Sequence, residues 1–105
     1  MPTFLNIERH SPENCPMFNE KNRKVMTECN DKFDGLAKKY GVKMIGSWAV
    51  PNEHLSFSVF EAPSLEAATK LVMEPVFMAL GSFETCEIKA AFSGEELTKM
   101  MPKIK

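Results

Sequence analysis

Residues 41–63, GVKMIGSWAVPNEHLSFSVFEAP, read as two β-strands folded back on each other at Pro51-Asn52-Glu53. Pro51 has no backbone N–H to give, so neither Val42–Val50 nor His54–Glu61 can run on through the turn. This hairpin divides the chain into two similar halves, each carrying one further strand and one helix. Thr3–His10 (TFLNIERH) alternates, with Leu5 and Ile7 on one side and Asn6, Glu8 and His10 on the other. Thr85–Phe92 alternates as well, placing Cys86, Ile88, Ala90 and Phe92 on one face and Glu87 and Lys89 on the other.

Two helices fill the spaces between these strands. From Met17 to Tyr40 the apolar positions Phe18, Val25, Cys29, Phe33, Leu36 and Tyr40 recur at helical spacing. Asn14 is placed to cap this helix, Pro16 suits its first turn, and Gly41 ends it. Ser64 caps the second helix, which Pro75 should break near Met73-Glu74. Ser93 and Glu96 form a capping box for a short terminal helix through Met101. The order βαββαβ plus that helix predicts a ferredoxin-like α+β fold. Its four-stranded antiparallel sheet has the order 4-1-3-2, and both helices cover one sheet face because the crossovers are right-handed. The expected bare face carries Phe4, Asn6, Glu8, His10, His54, Ser56, Ser58, Phe60, Glu87 and Lys89.

Bulk properties narrow the partners. The 105 residues read as a single domain, residues 1–105, with 13 basic and 14 acidic side chains and a net charge of −1. No basic excess is available to attract a nucleic acid. The N-terminus lacks the pattern of a signal peptide, and no apolar run is long enough to span a bilayer. Three cysteines without a CxxC spacing read as reduced thiols, which predicts a cytoplasmic protein. The eight methionines read chiefly as core fillers.

Several short stretches together resemble the dimeric α+β barrel superfamily, and within it small domains related to the GYD-domain proteins. They are Met1-Pro2-Thr3-Phe4, Gly46-Ser47-Trp48, Val59-Phe60-Glu61-Ala62-Pro63 with Glu66-Ala67-Ala68, and Phe92-Ser93-Gly94-Glu95-Glu96. The Gly-Tyr-Asp triplet itself is absent, with Pro51-Asn52-Glu53-His54 at that turn. The resemblance implies a homodimer closed through its bare sheet faces. It also implies a pocket near the sheet of the kind used by cofactor-free monooxygenases, isomerases and haem proteins.

The candidate chemistry rests on few residues. His10 and Cys15 in HSPENC offer an imidazole beside a thiol, and Glu8 supports His10 as a base; these are the catalytic candidates, and packing at a strand end is their plainer use. Glu8, His10 and His54 supply the two-imidazole, one-carboxylate set of a metal site, although no close HxH or HxxxH spacing is present. Either histidine could instead ligate haem. Trp48, His54, Ser56, Ser58 and Glu87 are the expected ligand-binding residues, with Gly46 leaving room beside Trp48; a core or interface role for Trp48 is the alternative. No phosphate loop, GxSxG or zinc signature occurs. Three functions follow as expectations: a small-molecule-binding dimer with a sensory or accessory role, a cofactor-free oxygenase or isomerase, and a metal or haem protein.

Overall fold

The hairpin forms where Pro51 requires it, as a single 3-10 turn over Pro51–Glu53. The computed structural model describes residues 1–103. Its elements are β1 (Thr3–His10), α1 (Glu20–Tyr40), β2 (Lys43–Val50), β3 (Leu55–Glu61), α2 (Leu65–Val72), α3 (Pro75–Met78), β4 (Glu84–Ala91) and α4 (Gly94–Met100). The antiparallel sheet runs β2-β3-β1-β4, which is the expected 4-1-3-2 order. This is the ferredoxin-like βαββαβ architecture.

Most of the anticipated boundaries have visible causes. Gly41 takes the left-handed conformation, φ 70°, that closes α1, and its N–H bonds back to Ala37 and Lys38. Ser64 accepts from the Ala67 N–H, and Ser93 and Glu96 cap α4 reciprocally. Pro75 separates α2 from α3. The start of α1 differs from expectation. Asn19, not Asn14, is the cap and accepts from the Asn22 N–H at 3.1 Å. Pro12–Asn14 instead form a 3-10 turn, and the amide of buried Asn22 donates to the Asn14 carbonyl at 2.9 Å. Phe18 lies outside the helix and is 82% exposed.

Register decides which side of the sheet the helices cover. Phe4 lies opposite Phe60 and Ala90, Asn6 opposite Ser58 and Ile88, and Glu8 opposite Ser56 and Cys86. Phe4 and Phe60 pack at 5.8 Å within the core formed with Ala37, Val42, Ala62, Ala68 and Leu71. The Phe4–Asn6–Glu8–His10 face is therefore the helix-covered face, contrary to the expectation that it lies bare. Only Glu87 and Lys89 of that expected set are on the uncovered side. There they join Leu5, Ile7, Arg9, Leu55, Phe57 and Val59.

A β-bulge between Met44 and Gly46 sets the facing of β2. Beyond it Trp48 lies opposite Phe57, and the two rings stack at 5.5 Å on the uncovered face. The Trp48 indole lies directly over Gly46: a Cβ there would come within 2.9 Å of Trp48 Cζ2. Gly46 thus makes room for Trp48 itself. Gly46→Ala should push the ring off Phe57 and change the emission of this single tryptophan. Stability should shift by less than about 1 kcal/mol, because alanine also suits a strand better than glycine does. An unaltered emission spectrum would contradict this packing.

The body is thin. Its extents are 58 × 32 × 17 Å and its radius of gyration is 15.6 Å, against about 13 Å for a compact domain of this length. Among the described residues no large side chain is wholly buried. Most of the methionines do not fill a core: Met1, Met17, Met73, Met78, Met100 and Met101 are exposed, while Met44 packs against it. At one end α4 shares no extensive packing with another element, and Phe92, Leu97 and Met100 stay in the open. No helix among the described residues is long and apolar enough to cross a membrane.

Candidate functional site

The covered face is only partly filled by the helices. Between the sheet and α1 and α3 lies an open cavity of about 860 Å³. Phe33, Phe60, Phe77, Leu71, Leu80 and Ile88 give it an apolar wall. Its polar wall comes from alternate residues of three strands: Asn6 and Glu8, Ser56 and Ser58, Glu84 and Cys86. Period-two alternation collects these groups on one face, and antiparallel register brings Glu8 level with Ser56 and Cys86.

The polar wall is internally bonded. The Asn6 amide donates to Glu8 Oε1 at 2.9 Å, and the Cys86 thiol donates to Asn6 Oδ1 at 2.8 Å. Although Cys86 keeps exposed surface, its sulfur is turned inward to this bond. Loss of water around the sulfur, then the Glu8 charge, push the Cys86 thiol up to about 11. The Cys29 thiol is raised to about 11 by burial and the same carboxylate, and it donates to the Val76 carbonyl at 3.2 Å. Both sulfurs are neutral donors at pH 7.

Glu84 is the group most displaced from its ordinary chemistry. Burial foremost, with the Glu8 carboxylate alongside, pushes it up to about 8. Its Oε2 is buried without a protein hydrogen-bond partner, while Oε1 stands 3.8 Å from His10 Nδ1. Glu84 is therefore largely a neutral acid at pH 7, able to share its proton with Glu8.

Behind Glu84, outside the cavity wall, sits a second cluster. The His10 and His54 rings meet edge to face at 5.3 Å, and one donor atom each from His10, Cys15 and His54 lie within 4.8 Å of one another. His10 Nε2 and His54 Nδ1 are buried and without a protein partner. Burial first, then the nearby His54, hold the His10 imidazole below its usual range, against a smaller opposing pull from Glu8. His54 is held in place by its backbone. Its φ of 53° is left-handed, its N–H bonds to the Pro51 carbonyl, and its own carbonyl accepts the His10 N–H at 3.1 Å. A non-glycine residue costs roughly 1 kcal/mol in that conformation.

A model of the DUF3303 family, a domain of unknown function, matches residues 4–105. The chain belongs to that family. No curated protein matches its sequence. Among solved structures, this DUF3303 chain is similar to SnoaB, a cofactor-independent oxygenase from Streptomyces nogalater. That pair has a TM-score of 0.56 at 13% identity, over 88% of this chain and 91% of the other. It is also similar to Atu4242 from Agrobacterium tumefaciens, TM-score 0.55 at 14% identity, covering 88% and 92%. A third is an uncharacterized NIPSNAP domain protein from Burkholderia xenovorans, TM-score 0.52 at 10% identity, covering 90% and 97%. The shared feature is the fold, the ferredoxin-like α+β arrangement.

The residues singled out from the DUF3303 sequence separate into three places. Glu8, Ser56 and Ser58 line the cavity. His10, Cys15 and His54 are together but behind it, and Glu8 is not in their donor group. Cys15 is buried five residues before α1 begins, and its carbonyl accepts from the Asn19 N–H at 2.8 Å. Glu87 lies on the uncovered face, paired with Arg9 and Lys89 at 3.4 Å each, so it cannot act with Glu8 across the sheet. Trp48 stacks on Phe57 on that same uncovered face, and both residues also border the cavity. Sequence reasoning missed Glu84 and left Asn6 without a role. Starting the alternation one residue earlier, at Glu84, was the signal that could have found it.

Proposed function

We propose that this protein is a cytoplasmic, single-domain homodimer that binds a small apolar molecule in the helix–sheet cavity, with a sensory or accessory role. The observation that carries the reading is the cavity itself: an apolar wall of phenylalanines and aliphatics faced by a compact set of bonded polar groups. Its volume suits a drug-sized or smaller molecule. The chemistry of the polar wall selects the ligand class. Glu8 accepts hydrogen bonds and Glu84 has an unpartnered oxygen, so a ring system bearing a hydroxyl or amine N–H is complementary, whereas a carboxylate or phosphate would meet like charge. A histidine-dependent enzyme is less well served, since neither His10 nor His54 lines this wall.

The homodimer reading draws on the uncovered face. Leu5, Ile7, Phe57, Val59 and Trp48 form an apolar strip there on a slab too thin to enclose both sides of its sheet. Its charges, Arg9, Glu87 and Lys89, already pair within the chain. The fold shared with the dimeric α+β barrel proteins supports closure of two such faces on each other.

The neutral fluorophore N-phenylnaphthylamine, which is apolar and carries one N–H, tests the cavity. Wild-type protein should enhance its emission saturably, and Ser58→Phe should weaken binding about tenfold or more by filling the space between the walls. Absence of binding by folded wild-type protein, or binding unaffected by Ser58→Phe, would reject this reading.

A further inference from the structure

We propose that His10, Cys15 and His54 form a metal site for a divalent ion of the zinc class. The three come from separate segments: the end of β1, the turn before α1 and the β2–β3 turn. One donor atom from each lies within 4.8 Å of the other two. In a tetrahedral zinc site the donors stand about 3.3–3.8 Å apart, so shifts of about an ångström close the set. Two imidazoles and a thiolate suit zinc, and they exclude magnesium and calcium, which take oxygen ligands.

The surroundings match this assignment atom by atom. His10 Nε2 and His54 Nδ1 are buried with no protein partner, although each imidazole must place both nitrogens. His10 Nδ1 faces Glu84 Oε1 at 3.8 Å, leaving Nε2 as its free donor. A carboxylate behind a ligating imidazole fixes the ring's orientation in many metal centres. Cys15 is buried at 4% exposure within the same cluster. His54 alone among the described non-glycine residues has a left-handed backbone, and that strain holds its ring against His10. Glu8 is not part of the donor group, and its Oε1 accepts from the Asn6 amide instead. Three protein donors leave a fourth tetrahedral position for water or another small donor.

The site lies outside the cavity wall, so it stands or falls independently of the apolar ligand. The test is titration of the chelator-stripped full chain with cobalt(II), displaced by zinc(II). One equivalent should bind with the absorption of a tetrahedral centre and a thiolate-to-cobalt charge-transfer band. Cys15→Ser should lose that band, His54→Ala should lose saturable binding, and Cys29→Ser/Cys86→Ser should retain both. X-ray absorption of the zinc-loaded wild-type chain needs no variant and should show one sulfur and two imidazole scatterers. No saturable binding at micromolar protein, or a shell lacking sulfur, would overturn the assignment.

Discussion

Glu84→Gln should make the metal-free protein more stable at pH 8 by about 3–5 kcal/mol while leaving it little changed at pH 4.5. The reasoning runs through proton binding. Glu84 holds its proton up to about pH 8 in the folded chain, against the usual carboxyl value of 4.5 when unfolded. Below 4.5 both states are protonated and the group is neutral in effect. Between 4.5 and 8 the unfolded chain releases the proton while the folded chain keeps it. Stability then falls by up to about 1.4 kcal/mol per pH unit, and the loss is complete above 8. His10 works in the opposite sense. Its lowered affinity for protons in the folded state makes stability drop as pH falls through the histidine range, so the wild-type profile is a compromise. The groups facing Glu84 are Glu8 and His10 from β1, Cys86 on its own strand and Cys29 from α1. Glutamine removes only the Glu84 contribution. Urea unfolding at pH 5 and pH 8 in the presence of a chelator measures it. Equal pH profiles for wild type and variant would show that Glu84 ionises normally.

The second large effect concerns assembly. Val59→Glu should turn a micromolar dimer into a monomer, weakening association at least about a hundredfold, or roughly 3 kcal/mol. Val59 sits on a central strand of the uncovered face, opposite Leu5 and Gly46 and beside the Trp48–Phe57 stack. An unpaired carboxylate buried there would lose its water with no donor to replace it. In the monomer the same side chain is partly exposed and the core is untouched, so the fold should survive. Sedimentation velocity at several concentrations separates the cases. A monomeric wild type, or a dimeric Val59→Glu, would contradict assembly through this face.

The architecture was legible because its determinants are local. Pro51 stops two strands, Gly41 closes a helix, Pro75 splits another, and Ser64 and Ser93 start helices, each through its own backbone chemistry. Facing was not local. Alternation in TFLNIERH states that Asn6, Glu8 and His10 share a side, but not which side the helices cover, and a choice of parity moves every side chain at once. The polar set looks like the wet one. Phe4 and Phe60, large aromatics within that polar set, were the residues that argued otherwise. The helices cover this face without filling it, which is why a cavity can hold polar groups that a packed core would exclude. The His10–Cys15–His54 cluster was half legible: both histidines and the cysteine stood out by type, but the contact depends on a left-handed His54 that no spacing reveals.

The seven-residue α4, held by a capping box and little else, sets a local clock. A helix that short has too few internal hydrogen bonds to persist alone in water. Its amides should therefore exchange with solvent through fraying of the arm, at rates unrelated to global unfolding, whenever nothing rests against Leu97 and Met100. Slow exchange in that segment would register an occupant on its apolar side, making the end of the chain a built-in reporter of company.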